Sequence, residues 1–118
     1  MPKSIIIKTN GGPEVLELQD ISVGSPGPDE IKVTNYAIGL NYIDTYHRSG
    51  LYPLSLPSGI GLEAAGKIDE VGLNVTDLNK GDNIAYASIP LGAYSQQRII
   101  PAKIVVKLPD GISYNQAA

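Results

Sequence analysis

Short apolar runs separated by glycine and proline make up this chain, and their period changes once. Lys3 to Lys8 sets three isoleucines between polar residues and predicts a first strand, followed by a turn at Gly11-Gly12-Pro13. Val15, Leu16 and Leu18 begin a predicted return strand that runs to about Val23. Ser25 to Asp29 holds two prolines and is a loop, because proline cannot donate to a central ladder. Glu30 to Leu40 alternates, with Lys32 and Thr34 set between apolar neighbours, and predicts a strand. At Asn41 the pattern becomes helical. Tyr42, Tyr46 and Ser49 stand at i, i+4 and i+7, and Ile43 and His47 at i, i+4, which predicts a short helix over 41–49 closed by Gly50.

Gly50 to Gly61 is rich in proline and glycine and reads as an irregular loop, a common place for function. Leu62 to Val71 predicts a strand in which Gly66 marks a bulge or a close backbone approach. Gly72 to Lys80 is a connection, and Gly81-Asp82 turns the chain into a strand over Asn83 to Ala87. Ala93 to Ile100 and Ile104 to Leu108 supply two more strands. After a turn at Pro109-Asp110-Gly111, Ser113-Tyr114-Asn115-Gln116 matches a capping box, and Ala117 and Ala118 favour helix. One turn of helix does not nucleate well alone, so it either frays or opens a longer helix. The pattern is mostly β with short helices, a barrel or a sandwich.

Composition narrows the chemistry. The 118 residues are 42% apolar and 18% charged, the balance of one globular domain. A net charge of −3 leaves no basic field for nucleic acid or an anionic membrane. No apolar run approaches the roughly 20 residues that span a bilayer. Met1 to Asn10 does not read as a signal peptide, so a cytoplasmic location is the default expectation. Cysteine is absent and His47 is the only histidine, so a zinc site would rest mainly on carboxylates and no metal site is expected. His47 is expected on a solvated or loosely packed helix face. A Ser–His–Asp triad would need His47, yet no G-x-S-x-G elbow accompanies it. Gly59-Ile60-Gly61-Leu62-Glu63-Ala64 partly matches a dinucleotide fingerprint, but no strand–turn–helix frame surrounds it, and it is read as a false positive.

One constellation suggests a site. Tyr36, Tyr42, Tyr46 and Tyr52, four of the seven tyrosines, fall within 17 positions, with Asn41 and Asp44 among them. A phenol ring stacks on a planar ligand while its tip donates one hydrogen bond; the same rings could instead cover the mouth of a small barrel.

Ala37 to Pro53 (AIGLNYIDTYHRSGLYP) resembles the same region of bacterial quinone oxidoreductases of the medium-chain dehydrogenase/reductase superfamily, the group that includes zeta-crystallin. GGPEVL (11–16), LPSGIGLEAAG (56–66), KGD (80–82), LGAYS (91–95) and LPDGISYNQAA (108–118) extend the likeness along essentially the whole chain. In the zinc alcohol dehydrogenases of that superfamily, a cysteine ligand stands at the place of Asn41 and Gly-His-Glu at that of Gly61-Leu62-Glu63; the resemblance is thus to the metal-free branch. It implies a GroES-like, partly open β-barrel over residues 1–118, with a Rossmann nucleotide-binding domain lying outside them and the active site between the two.

The implied activity is reduction of a quinone, or another electron-poor carbonyl or alkene, by NADPH, through hydride transfer or one-electron reduction. The implied roles put Asn41, Tyr46 and Tyr52 at the reacting groups, and Tyr42, Ile43, Asp44, Thr45 and Tyr46 along the nicotinamide and its ribose. Asp44 either orients polar groups of the site or caps the helix, and Glu63 is expected to be a structural hydrogen-bond partner. Alone, such a domain is expected to be inactive. It could also be a stand-alone binding module, or half of an enzyme completed by a chain that carries the Rossmann domain.

Overall fold

A computed structural model describes residues 1–118. Two antiparallel sheets make up the fold, and neither closes on itself. The larger runs in the order β7-β3-β5-β6-β8, with β3 (Glu30–Ile38), β5 (Glu63–Val71), β6 (Asn83–Ala87), β7 (Gln97–Pro101) and β8 (Val105–Lys107). The smaller runs β2-β1-β4, with β1 (Lys3–Ile7), β2 (Glu17–Asp20) and β4 (Ser58–Gly59). The expected mostly-β, partly open GroES-like barrel is what the chain forms. No helix is long and apolar enough to cross a membrane.

Alternation decides which face of each strand is buried. Ile31 and Val33 of β3 turn inward and meet Ala64 and Ile68 of β5, Ile84 and Tyr86 of β6, and Ile100 of β7 in one cluster. A fully buried isoleucine contributes roughly 1.5–3 kcal/mol, so this cluster outweighs any single hydrogen bond in the fold. Gly66 lies opposite Asn35 where the β3–β5 register slips, and a Cβ there would overlap the Thr34 carbonyl oxygen. The sequence reading of Gly66 as a bulge with a close backbone approach holds.

Three strand predictions need correction. The return strand expected from Val15 begins only at Glu17. Pro13 presets the first residue of a 3₁₀ turn over Pro13–Val15, and the Gly12 N–H donates to the Glu14 carboxylate at 3.1 Å. Ser58–Gly59, inside the predicted irregular loop, pairs with Ile6 and Ile7. Ala93 to Gln96, predicted as part of the strand ending at Ile100, instead crosses between the sheets. Ile5 N–H donates to the Tyr94 carbonyl at 2.8 Å, Gln96 N–H to the Lys3 carbonyl at 2.9 Å, and Asn35 N–H to the Gln96 carbonyl at 2.9 Å. The Asn35 side chain holds the crossing open, donating to the carbonyls of Ala93 (3.3 Å) and Ser95 (3.0 Å).

Two helices complete the fold. In α1 (Tyr42–Ser49), Asn41 is the N-cap rather than the first helical residue, and Gly50 closes the helix at φ +90°. In α2 (Tyr114–Ala117) the capping box forms as expected: Gln116 N–H donates to Ser113 Oγ at 3.1 Å, and Ser113 N–H to Gln116 Oε1 at 3.0 Å.

Candidate functional site

The helix α1 leaves β3 at the end away from Glu30, and its first turn is built on one carboxylate. Asp44 Oδ2 accepts from the Asn41 backbone N–H at 3.1 Å, while the Asp44 N–H returns to the Asn41 carbonyl at 3.0 Å. Asp44 is only 4% exposed. Its role as a cap, one of the two expected, is therefore visible in the hydrogen bonding. The same Oδ2 also accepts a bond from the hydroxyl of Tyr94, a residue the sequence did not single out for the site. The other oxygen, Oδ1, is buried with no partner. Burial first, then the bond to Asp44 and its charge, push the Tyr94 phenol well above its ordinary range.

The second half of the site is aromatic. Tyr42 meets Tyr46 edge-on at 5.5 Å, and Tyr46 meets Tyr52 edge-on at 5.3 Å. These geometries suit the ring quadrupoles. Tyr52 is brought back over the helix because its N–H donates to the Tyr46 carbonyl at 3.2 Å. Tyr46 is half-buried between neighbours that remain open, Tyr42 at 76% and Tyr52 at 48% exposure. His47 does not face solvent freely. It is half-buried, its ring stands edge-on to Tyr52 at 6.0 Å, and its Nδ1 is buried without a partner.

The four-tyrosine constellation thus divides. Tyr42, Tyr46 and Tyr52 form one ladder, while Tyr36 stacks on Tyr114 of α2 at 4.9 Å with 19° between the planes. Of the remaining predicted residues, Ile43 is half-buried in α1, and the Thr45 hydroxyl is committed to the Tyr42 carbonyl at 2.6 Å. Asn41 is half-buried and its carboxamide donates no hydrogen bond. Glu63, expected as a hydrogen-bond partner, makes none through its side chain. The carboxylate folds over Gly39, the space a Cβ there would fill. No three His, Cys, Asp or Glu side chains converge as a metal would require.

The glycines of the partial fingerprint serve packing. A Cβ on Gly59 would lie 2.8 Å from the Gly92 Cα, and one on Gly61 only 2.5 Å from Cδ1 of Tyr94. Gly61 also stands at φ +101°, where a side chain is strained. Tyr94 itself offered little signal: a tyrosine in a β-rich segment reads equally well as barrel wall, and only the tertiary fold shows where its hydroxyl goes.

None of the five cavities is lined by Tyr42, Tyr46 or Tyr52. The largest, about 630 Å³, opens beside Asp29, Glu30 and Asp77 at the opposite end of β3 from α1. The ladder is therefore an open wall and not an enclosed pocket.

Comparison with known proteins gives this wall a context. Residues 27–110 match the family of the alcohol dehydrogenase GroES-like domain. The chain is 54% identical over 119 residues to a quinone oxidoreductase of Pseudomonas aeruginosa, covering all of this chain and 37% of that protein. It is 42% identical over 113 residues to a 2-haloacrylate reductase of a Burkholderia species, covering 92% of this chain and 34% of that one. The solved quinone oxidoreductase of Pseudomonas syringae pv. Tomato superposes with a TM-score of 0.95 at 52% identity, covering 99% of this chain and 36% of that one. The Escherichia coli quinone oxidoreductase complexed with NADPH superposes with a TM-score of 0.95 at 48% identity, covering 98% and 36%. The chain spans little more than a third of the length of these relatives. The superposition and the family match agree: the chain belongs to the alcohol dehydrogenase GroES-like domain family and corresponds to the N-terminal GroES-like domain of quinone oxidoreductases.

Proposed function

We propose that this chain forms the acceptor-side wall of the active site of an NADPH-dependent reductase of quinones or other electron-poor carbonyls and alkenes. The observation that carries the reading is the open Tyr42–Tyr46–Tyr52 ladder beside Asn41, whose carboxamide donates no hydrogen bond within the chain. A wall with no second side requires a nucleotide-binding domain supplied from outside residues 1–118, in the same polypeptide or on a complementing chain.

The residues fit a flat nicotinamide ring unevenly. Tyr42 and Tyr46 offer apolar ring surface, and Asn41 offers an amide donor. Ile43 is half-buried in the same helix. Asp44 and the Thr45 hydroxyl are occupied within α1, so they act by holding its first turn and not by direct contact. NADPH, when bound, supplies the hydride. The phenol hydroxyls of Tyr46 and Tyr52 donate to the acceptor oxygen as negative charge develops on it. Asn41 orients the ring or the acceptor through its carboxamide. The ladder excludes water from one face of the cleft.

The test is a fusion in which this chain replaces the matching segment of the Pseudomonas aeruginosa quinone oxidoreductase. NADPH-dependent reduction of quinones is expected. Tyr52→Phe should lower kcat by up to about 10²-fold, the scale of one lost transition-state donor, with little change in NADPH affinity. Unchanged kinetics would remove Tyr52 from the site. A folded, NADPH-binding fusion that reduces no quinone would overturn the reading.

A further inference from the structure

Tyr94 sits on the segment that stitches the two sheets together, and that segment is clamped from several directions. Asn35 holds the carbonyls on either side of it, and Asn35 Oδ1 in turn accepts from the Tyr86 hydroxyl at 3.0 Å. Just upstream, Arg98 Nη2 donates to the carbonyls of Pro90 (2.9 Å) and Leu91 (3.0 Å). The Tyr94 N–H donates to the Ile60 carbonyl at 3.0 Å, and the ring lies against Gly61. The ring is thus seated on a rigid base, and its hydroxyl reaches across to α1.

There it meets the oxygen that caps the helix. Asp44 Oδ2 accepts from Tyr94 on the sheet side and from the Asn41 N–H on the helix side. One carboxylate oxygen therefore joins the sheet junction to the residue at which α1 begins. The C-terminal end of α1 has its own tie: Arg48 Nε donates to the Gly11 carbonyl at 3.2 Å, and the Gly11 N–H to the Arg48 carbonyl at 3.1 Å. At the N-terminal end, Tyr94–Asp44 is the one side-chain hydrogen bond linking the first turn to the sheets. Asp44 Oδ1 has no partner to take over. Hydrogen bonds to an ionised acceptor are about twice as strong as neutral ones, so this tie can hold a helix end in place.

We propose that Tyr94 is a positioning residue for the acceptor site: through Asp44 it sets where Asn41, Tyr42 and Tyr46 stand. The proposal rests on the reading of α1 as the acceptor-side wall. Tyr94 touches no reacting atom. It acts by holding the N-cap turn still, and a misplacement of about 1 Å can cost on the order of 10²-fold in rate.

Two measurements separate this proposal from the reading beneath it. The first is amide hydrogen exchange on the 118-residue chain. Tyr94→Phe keeps the ring and removes the donor; exchange at Asp44 and the following turn should rise about tenfold or more, while the Ile31–Val33 core and the Gly11–Arg48 tie stay protected. Asp44→Asn, which weakens the acceptor, should loosen the same turn, and the double variant should add little to either single one. The second measurement is turnover in the fusion described above. Tyr94→Phe should lower kcat for quinone about tenfold, with a smaller change in KM for NADPH. A turn that stays protected in both single variants overturns the proposal. So does a turn that loosens while kcat is unchanged, which leaves Tyr94 as a helix anchor only. An unsubstituted fusion that folds, binds NADPH and reduces no quinone overturns the acceptor-site reading instead, and the exchange data then judge the Tyr94–Asp44 tie separately.

Discussion

Gly61 shows how a motif can be legible while its reason is not. In the sequence it stands in a G-x-G that resembles half of a phosphate cradle. In the fold its φ of +101° and the Tyr94 ring occupy the two places where a larger residue would fail. Gly61→Ala should destabilise the chain by about 2–5 kcal/mol, the sum of a left-handed backbone cost and overpacking against the ring. Urea unfolding would show this as a lower midpoint at an unchanged slope. A midpoint within error of the parent would mean that Tyr94 moves aside freely, which its clamped backbone opposes. Asp44 and Glu63 make the complementary point. Their residue type allowed either a cap or a site role for Asp44 and a hydrogen-bonding role for Glu63; only the fold shows Asp44 shared between Asn41 and Tyr94, and Glu63 without a side-chain bond.

At the scale of elements, the strands with strict alternation and the helix with caps were readable, and the irregular segments were not. α1 and α2 both carry their start signals in the sequence, Asn41 with Asp44 and Ser113 with Gln116. What holds α2 is tertiary. Four residues cannot sustain a helix in water, and Tyr114 fastens this one by stacking on Tyr36 and donating to Asn83 Oδ1 at 2.5 Å. Tyr114→Ala should remove a ring pair worth about 0.5–1.5 kcal/mol and release the turn. Amide exchange at Ala117 and Ala118 should approach that of an unstructured chain while β5 remains protected. Continued protection at Ala117 would show that the capping box alone suffices. Two of the three misjudged segments share one cause: Val15 and Ala93 to Gln96 have strand-like composition, but Pro13 and the Asn35 side chain direct the backbone elsewhere, while Ser58–Gly59 has loop composition and becomes a strand only by pairing with β1.

At the scale of the whole molecule, the core and the open wall lead to different expectations. The main core cluster is drawn from four strands of the larger sheet together with Leu78 and Ala93, so the chain has its own reason to fold. The tyrosine ladder has no facing wall within the 118 residues. Calorimetry of the chain alone, at high protein concentration, should therefore detect no NADPH binding, since no glycine-rich helix start is available to hold the pyrophosphate. Micromolar binding would mean that the cofactor site lies largely within these residues, and the division of labour proposed above would be wrong.

The mostly-β class, the place of α1 with its close at Gly50, and the bulge at Gly66 were determined by the sequence itself, because periodicity, caps and glycine act over a few residues. The resemblance carried in Ala37 to Pro53 placed the tyrosines in a family, again from local pattern. Tertiary structure alone decided that Tyr36 leaves the other three rings for Tyr114, that Ala93 to Gln96 crosses between the sheets, and that Tyr94 meets Asp44 across 50 positions. Those pairings join residues far apart in the chain, and which distant side chains meet depends on strand register and on how the sheets close over the core.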